Sequence, residues 1–318
     1  MVLDIIYILV GFFLLVKGGD YLVDGSVQIA RRAKLSPMVI GLTVIAFGTS
    51  APELIVSSMA AIDGSPGIAI GNGVGSNIAN IALILGVSAI IVPLTVSKFT
   101  VAVDAPFMVV ATLLLTIAGM AGTIWRWEGL VGLLILSAFI AWQIRRSRKN
   151  AVQEPADDEP MMNIWKAMLI VVGAIAALGA GAKLLIVGAS EMAMTLGTAM
   201  GLSAQEMERI IGLTIVAVGT SFPELFASVI AARKGQVDMA IGNIIGSVTF
   251  NIYCVVGVAA ICCPIHNADV GFAFDYATMV FLGIVLWLGL RTRYTLERWE
   301  GWLLLAMYFA YLLRTVLS

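Results

Sequence analysis

Charged side chains make up only 12% of this 318-residue chain, against about 25% in a soluble globular domain. So little charge cannot clothe a surface in water. A basic excess is missing too: 19 Lys and Arg against 20 Asp and Glu leave a net charge of −1, which excludes a nucleic-acid-binding face. There is one histidine, His266, expected at a surface loop near Pro264. The three cysteines, Cys254, Cys262 and Cys263, lack the spacing of metal ligands and are expected to be packing residues that say little about redox compartment. No positive region precedes the first apolar run, which opens Met1-Val2-Leu3-Asp4, and no cleavage site follows it. That run is therefore expected to be a true span and not a signal peptide.

What remains is apolar. Hydrophobic residues reach 60% and the mean hydropathy is +0.99. Runs of about 20 apolar residues, the length that crosses bilayer hydrocarbon, follow one another almost without pause. They predict spans near 3–29, 36–62, 67–93, 100–121, 129–147, 164–196, 207–232, 237–263, 272–291 and 297–316. In lipid each segment must satisfy its own backbone polar groups, so the spans are helices. The expected fold is all-α: a polytopic membrane protein of ten transmembrane helices. One hydrophilic stretch, Arg145 to Pro160, basic and then acidic, interrupts them. It divides the chain into a first five-helix repeat (1–148), a cytoplasmic linker (149–162) and a second five-helix repeat (163–318).

The division matters because the sequence repeats itself. The stretch 41–86, GLTVIAFGTSAPELIVSSMAAIDGSPGIAIGNGVGSNIANIALILG, returns at 212–257 as GLTIVAVGTSFPELFASVIAARKGQVDMAIGNIIGSVTFNIYCVVG. The displacement is 171 residues without a gap, and half of the 46 aligned positions are identical. The identities are the polar and special ones: Gly48-Thr49-Ser50, Pro52-Glu53, Gly71-Asn72, Gly75-Ser76 and Asn80 in the first copy. Lys and Arg set the orientation. With the N-terminus outside, the cytoplasmic loops carry 14 of them and the outer side only Arg126, Arg209 and Arg314, which predicts both termini outside. Five helices is an odd number, so the two halves cross in opposite senses, the inverted arrangement of secondary transporters, with the substrate site expected near mid-membrane where the copies meet.

Glu53 and Glu224 fall mid-span, where a carboxylate is costly and marks an ion path. Thr49 stands four residues before Glu53 on the same helix face, with Ser50 beside it; Thr220 and Ser221 repeat this before Glu224. Ser76 and Asn80 share a face of the next helix, as do Ser247 and Asn251. Pro52 and Pro223 remove a backbone donor and are expected to kink their helices and free carbonyls one turn earlier. The donor set is almost wholly oxygen, without thiol or imidazole, which argues for a hard cation, calcium, with sodium plausible at the same atoms. Two carboxylates balance one Ca²⁺ or two Na⁺.

These two motifs, GTSAPE with GNGVGSNIAN and GTSFPE with GNIIGSVTFN, resemble the paired α-repeats of the cation/calcium exchanger superfamily, most closely its prokaryotic sodium/calcium branch. The resemblance implies a Na⁺/Ca²⁺ antiporter of the cell membrane. It implies calcium ligands Glu53 and Glu224 with main-chain oxygens of Thr49 and Thr220, and sodium ligands Ser50, Ser221, Ser76 and Ser247 with carbonyls of Ala46 and Ala217. Asn80 and Asn251 would complete the centre. It further implies that the first and sixth helices slide as a pair across the other eight. The family often has Asp where this chain has Asn251, which leaves sodium stoichiometry open. No cofactor and no obligate protein partner is implied beyond the transported ions and lipid.

Elsewhere, Asp104 and Asp275 are expected to cap helix N-termini, as are Glu206 and Glu208 with Arg209. Asp20 and Asp24 are expected to be solvated at a helix end. Proton/calcium exchange stays open beside sodium/calcium exchange. An intramembrane hydrolase would use the Glu pair as acid and base but lacks a nucleophile–base constellation, and a passive channel or a scaffold would need no counter-ion.

Overall fold

The computed structural model describes residues 2–150, 162–199, 217–266 and 272–317. Most of the expected linker, the helix start expected at Glu206, Glu208 and Arg209, and the first residues of the second repeat (212–216) lie outside the described residues.

The apolar runs fold as helices, since each can pair its backbone internally. In chain order they are α1 (Val2–Ala33), α2 (Pro37–Thr49), α3 (Ala51–Ile62), α4 (Gly67–Ile91), α5 (Thr100–Met120) and α6 (Arg126–Lys149). The second half supplies α7 (Ile164–Ala199), α8 (Ala217–Gly219), α9 (Phe222–Arg233), α10 (Val237–Cys262), α11 (Ala273–Arg293) and α12 (Arg298–Leu317). Among the described residues seven helices are long and apolar enough to cross a membrane, and the bent pair α2–α3 makes an eighth. The tenth expected span is occupied by α12, and α8 with α9 forms the described part of the seventh.

Burial separates centre from rim. In α10 and α4, 89% and 72% of the most apolar window is buried, against 22% in α1 and 28% in α7. The rim helices instead expose large apolar side chains such as Leu9, Phe12, Phe13, Leu169 and Val172. A water-soluble chain seldom exposes so contiguous an apolar surface; against lipid tails it costs nothing.

The two halves exchange contacts as partners across a two-fold axis do. Strand β1 (Leu94–Thr95) pairs antiparallel with β4 (Thr295–Leu296), and β2 (Thr123–Ile124) with β3 (Ile265–His266). Ile265 follows Leu94 by 171 residues and Thr295 follows Thr123 by 172, so each pairing is the other with the halves interchanged. The counterpart helices α1 and α7 lie against each other: Gly11 meets Gly181, Gly25 meets Val171, and Gly188 meets Asp4. As one number rises the other falls, so these two helices run antiparallel.

Helix crossings in a membrane need small residues to bring backbones together. Two of the tight backbone approaches join α2 to α10. A Cβ on Gly41 would lie 2.3 Å from the Met239 carbonyl, and one on Gly242 would lie 2.4 Å from the Met38 carbonyl. Gly173 on α7 faces open space by comparison. Gly41→Ala and Gly242→Ala should therefore each destabilise the protein by about 1–3 kcal/mol through overpacking, read as a lower thermal midpoint of the detergent-purified chain. Gly173→Ala should leave the midpoint at or above wild type.

Candidate cation site

The site begins with a broken helix. Proline at position 52 cannot donate to the preceding turn, and the helix bends by 48° between α2 and α3. The break falls at Ser50 (φ −87°, ψ 8°), and the second copy breaks at Ser221 with nearly the same backbone (φ −88°, ψ 5°). Each new helix starts with Pro in its first turn and carries its glutamate there as well, Glu53 in α3 and Glu224 in α9. The expected kinks are present where the prolines predict them. The Ala46 carbonyl is not stripped by the break, because it accepts the Ser50 amide at 3.0 Å and, more weakly, the Thr49 hydroxyl at 3.5 Å. Ala217 opens α8 in the corresponding place.

The central helices carry the rest. α4 widens into π turns over Ala79–Ile84, and α10 does so over Asn251–Val256. A π turn inserts one residue into the helical register and re-aims what precedes it, which is why such turns gather at functional sites. Asn80 lies within the first, and Asn251 opens the second. Ser76, Asn80, Ser247 and Asn251 are all buried. Gly246 packs directly on Leu42 and Ala46, which sets its neighbour Ser247 beside the segment leading to the first break.

The two copies meet through their polar residues. Ser50 Oγ donates to Glu224 Oε1 at 2.8 Å. Thr49 Oγ1 donates to Asn243 Oδ1 at 3.4 Å, and Asn243 Nδ2 donates to the Glu224 main-chain carbonyl at 3.4 Å. Glu53 and Glu224 are close enough that their charges act on each other, and both are 1% exposed. Thr49, Ser50 and Ser221 are buried with them, whereas Thr220 is half-buried. None of the hydrogen bonds above reaches Ser76, Ser247, Asn80 or Thr220.

What the cluster lacks in partners defines its chemistry. Among the described residues, 13 buried side-chain nitrogen and oxygen atoms have no hydrogen-bond partner. Eight of them belong to the residues singled out above: both carboxylate oxygens of Glu53, Glu224 Oε2, both amide atoms of Asn80, Asn251 Oδ1, and the hydroxyls of Ser221 and Ser247. Each buried polar atom left unmatched costs about 1–3 kcal/mol, and an ionised one more. Seven of the eight are oxygens, the donor type a hard cation takes, and three of those belong to the two buried acids.

Sequence reasoning missed the residues that hold the glutamates in place. Asn72 Nδ2 donates to the Glu53 main-chain carbonyl at 3.1 Å and to Ser57 Oγ at 2.8 Å. Asn243 Nδ2 repeats this with Glu224 and with Ser228 Oγ, the latter at 2.8 Å. Both Asn and both Ser are identical between the copies, so the signal was present; only their packing shows them to be clamps on the first turn of α3 and α9. A further match, Arg126-Trp127-Glu128-Gly129 with Arg298-Trp299-Glu300-Gly301, extends the repeat to its fifth helix. There Glu128 and Glu300 each accept a backbone amide at 2.7 Å, from Trp125 and Glu297, at the helix start.

Three expectations away from the centre are corrected. Asp104 caps no helix, because it sits inside the continuous helix α5 and takes the amide of Gln143 instead. Asp275 accepts the Tyr311 hydroxyl at 2.8 Å. Of the cysteines only Cys254 is fully packed, while Cys262 is exposed. Asp20 and Asp24 reach solvent, as expected, and both pair with Lys234, at 3.3 and 2.8 Å.

A profile of the sodium/calcium exchanger protein family matches residues 3–145 and 166–317, nearly the whole chain. The chain belongs to this family. The exchanger is 30% identical to the sodium/calcium exchanger MaX1 of Methanosarcina acetivorans, over 97% of each chain. It is 37% identical to the putative antiporter CaxA of Alkalimonas amylolytica, over 98% of each. Among solved structures it resembles the sodium-calcium exchanger NCX_Mj, soaked without Na⁺ and Ca²⁺, with a TM-score of 0.83, 32% identity and 98% coverage of both chains. Membership makes it a membrane transporter of the cation/calcium antiport class with two α-repeats, as the paired motifs predicted.

The clamps give the site a test of its own. Asn72→Ala frees the first turn of α3 without removing any expected ligand. It should raise the calcium concentration needed for half-maximal thermal stabilisation of the purified exchanger by about tenfold, the size of one well-made buried hydrogen bond. An unchanged calcium requirement would show that Glu53 is held without the clamp.

Proposed function

We propose that the exchanger is a sodium-driven calcium antiporter of the cell membrane, working by alternating access at the centre between α3 and α9. The observation that carries this reading is the three unpartnered carboxylate oxygens of the buried Glu53 and Glu224, with four more unpartnered buried oxygens on Asn80, Asn251, Ser221 and Ser247. Two carboxylates balance one Ca²⁺ or two Na⁺, so one centre can hold either ion class but not both at full charge. That mutual exclusion is what antiport requires. Calcium would be held by Glu53 and Glu224 with main-chain oxygens of Thr49 and Thr220. Sodium would use Ser50, Ser221, Ser76 and Ser247 with carbonyls of Ala46 and Ala217, and Asn80 and Asn251 would close the centre with neutral oxygen. The likeness to MaX1 and to NCX_Mj, both named as sodium–calcium exchangers, supports the choice of sodium as counter-ion.

The architecture that serves this function is ten spans in two inverted five-helix halves, 1–148 and 163–318, joined by the cytoplasmic linker 149–162, with both termini outside the cytoplasm. The antiparallel contact of α1 with its counterpart α7 supports the inversion, and the Lys and Arg count supports the orientation. These two helices pack on each other at the lipid-exposed rim, an arrangement suited to sliding as a pair past the centre.

The reading is tested in proteoliposomes with calcium-45 and with sodium, potassium and proton gradients imposed singly. Calcium uptake should follow the sodium gradient with the proton gradient collapsed; uptake driven only by the proton gradient would overturn sodium coupling. Glu53→Gln and Glu224→Gln should each abolish uptake. Asn251→Asp places a carboxyl group where an amide stands. Its protonated form mimics the amide and its ionised form does not, so uptake by this variant should fall relative to wild type as pH rises. A pH profile identical to wild type would show that charge at position 251 does not matter.

A further inference from the structure

Asn77 is fully buried between Ser76 and the π turn that holds Asn80, and nothing in the ion chemistry above uses it. Both ends of its side-chain amide are nonetheless engaged. Its Oδ1 accepts the Asn251 Nδ2 at 3.2 Å, and its own Nδ2 donates to Met279 Sδ at 3.6 Å. The second contact fixes which way the Asn77 amide faces, and the first therefore fixes Asn251. With its nitrogen occupied, Asn251 has only Oδ1 left unpartnered.

The other half of the molecule supplies the comparison. The counterpart of Asn251 is Asn80, and the residue at the position of Asn77, 171 residues on, is Val248. Valine offers no acceptor. Accordingly both Asn80 Nδ2 and Asn80 Oδ1 lack partners, and the Asn80 amide is free to turn either end toward its surroundings. The two amides closing the centre are thus alike in sequence and unlike in constraint. One is locked as an acceptor and the other is not, and the residue that makes the difference is not itself an expected ligand.

We propose that Asn77 is a positioning residue that holds the Asn251 amide with its oxygen toward the cation centre, so that position 251 presents a fixed neutral acceptor. An acceptor locked before the ion arrives spares the ion the work of orienting it. Releasing it lets the amide nitrogen, a donor with partial positive charge, turn toward the cation. The inference rests on the antiport reading of the centre, since it assigns the freed oxygen to a transported ion.

Asn77→Val installs the residue that the second repeat uses at the same position. The probe is sodium alone. Half-maximal thermal stabilisation of the purified variant and half-maximal sodium drive of calcium-45 uptake should both need about tenfold more sodium than wild type, with the maximal uptake rate largely kept. Asn251→Ala should shift the sodium requirement as well, and adding Asn77→Val to it should shift it no further, because the two residues act through one contact. A wild-type sodium requirement in Asn77→Val, or shifts that add in the double variant, would overturn the assignment. If Asn77→Val does not purify as a monodisperse protein, Asn77→Ser, smaller and polar, takes its place with the same expected outcomes. Wild-type protein that takes up calcium without any response to sodium would instead overturn the antiport reading on which the assignment rests.

Discussion

A carboxylate buried inside a membrane protein must be compensated, and this constraint organises the molecule. Glu53 and Glu224 are 1% exposed, inside a protein whose rim faces lipid. Ionised groups there are tolerated only when facing one another, an ion or water. The surrounding structure meets part of that demand through backbone placement and one side-chain bond. Helix breaks at Ser50 and Ser221 start a new helix just before each glutamate, and a helix N-terminus favours negative charge. Asn72 and Asn243 hold the main chain of those first turns. Of the four carboxylate oxygens, the protein pairs one, Glu224 Oε1 with Ser50. Among the described residues the other three have no partner.

Two-fold exchange of the halves explains why this economy is possible. A single broken helix carries one acid and could balance one charge. Its copy in the other half carries a second, Glu224, buried like the first. The glycines of α2 and α10 bring the copies close enough for Ser50 of one to bond Glu224 of the other. The symmetry is imperfect where the sequence departs from itself. Asn77 faces Asn251 while Val248 stands in the matching place, and Gln143 holds Asp104 while Tyr311 holds Asp275.

Much of this was legible in the residues alone. Long apolar runs in a chain so poor in charge have one stable solution, so the helices lie close to their expected places. The repeat of Thr49-Ser50 and Pro52-Glu53 at Thr220-Ser221 and Pro223-Glu224 located the breaks, because proline acts on its own turn and needs no tertiary partner. Less legible were Asp104 and Asp275. A carboxylate near a predicted helix start reads as a cap, and only the packing of α6 and α12 shows that Gln143 and Tyr311 reach them. Cys262 was misjudged for the same reason: exposure at a helix end depends on what packs beside it.

The sequence by itself determined the membrane class, the number and kind of acids, and the oxygen-rich donor set, since hydropathy, residue chemistry and an internal repeat are properties of the chain read along its length. Tertiary structure alone decided which of those groups meet. The pairing of Ser50 with Glu224 joins residues 174 apart, as does that of Asn77 with Asn251, and no local pattern encodes such a distance. The π turns at Asn80 and Asn251 are of the same kind. A helix accepts an extra residue in one turn only where its neighbours make the detour worthwhile, and that is a property of the packed bundle.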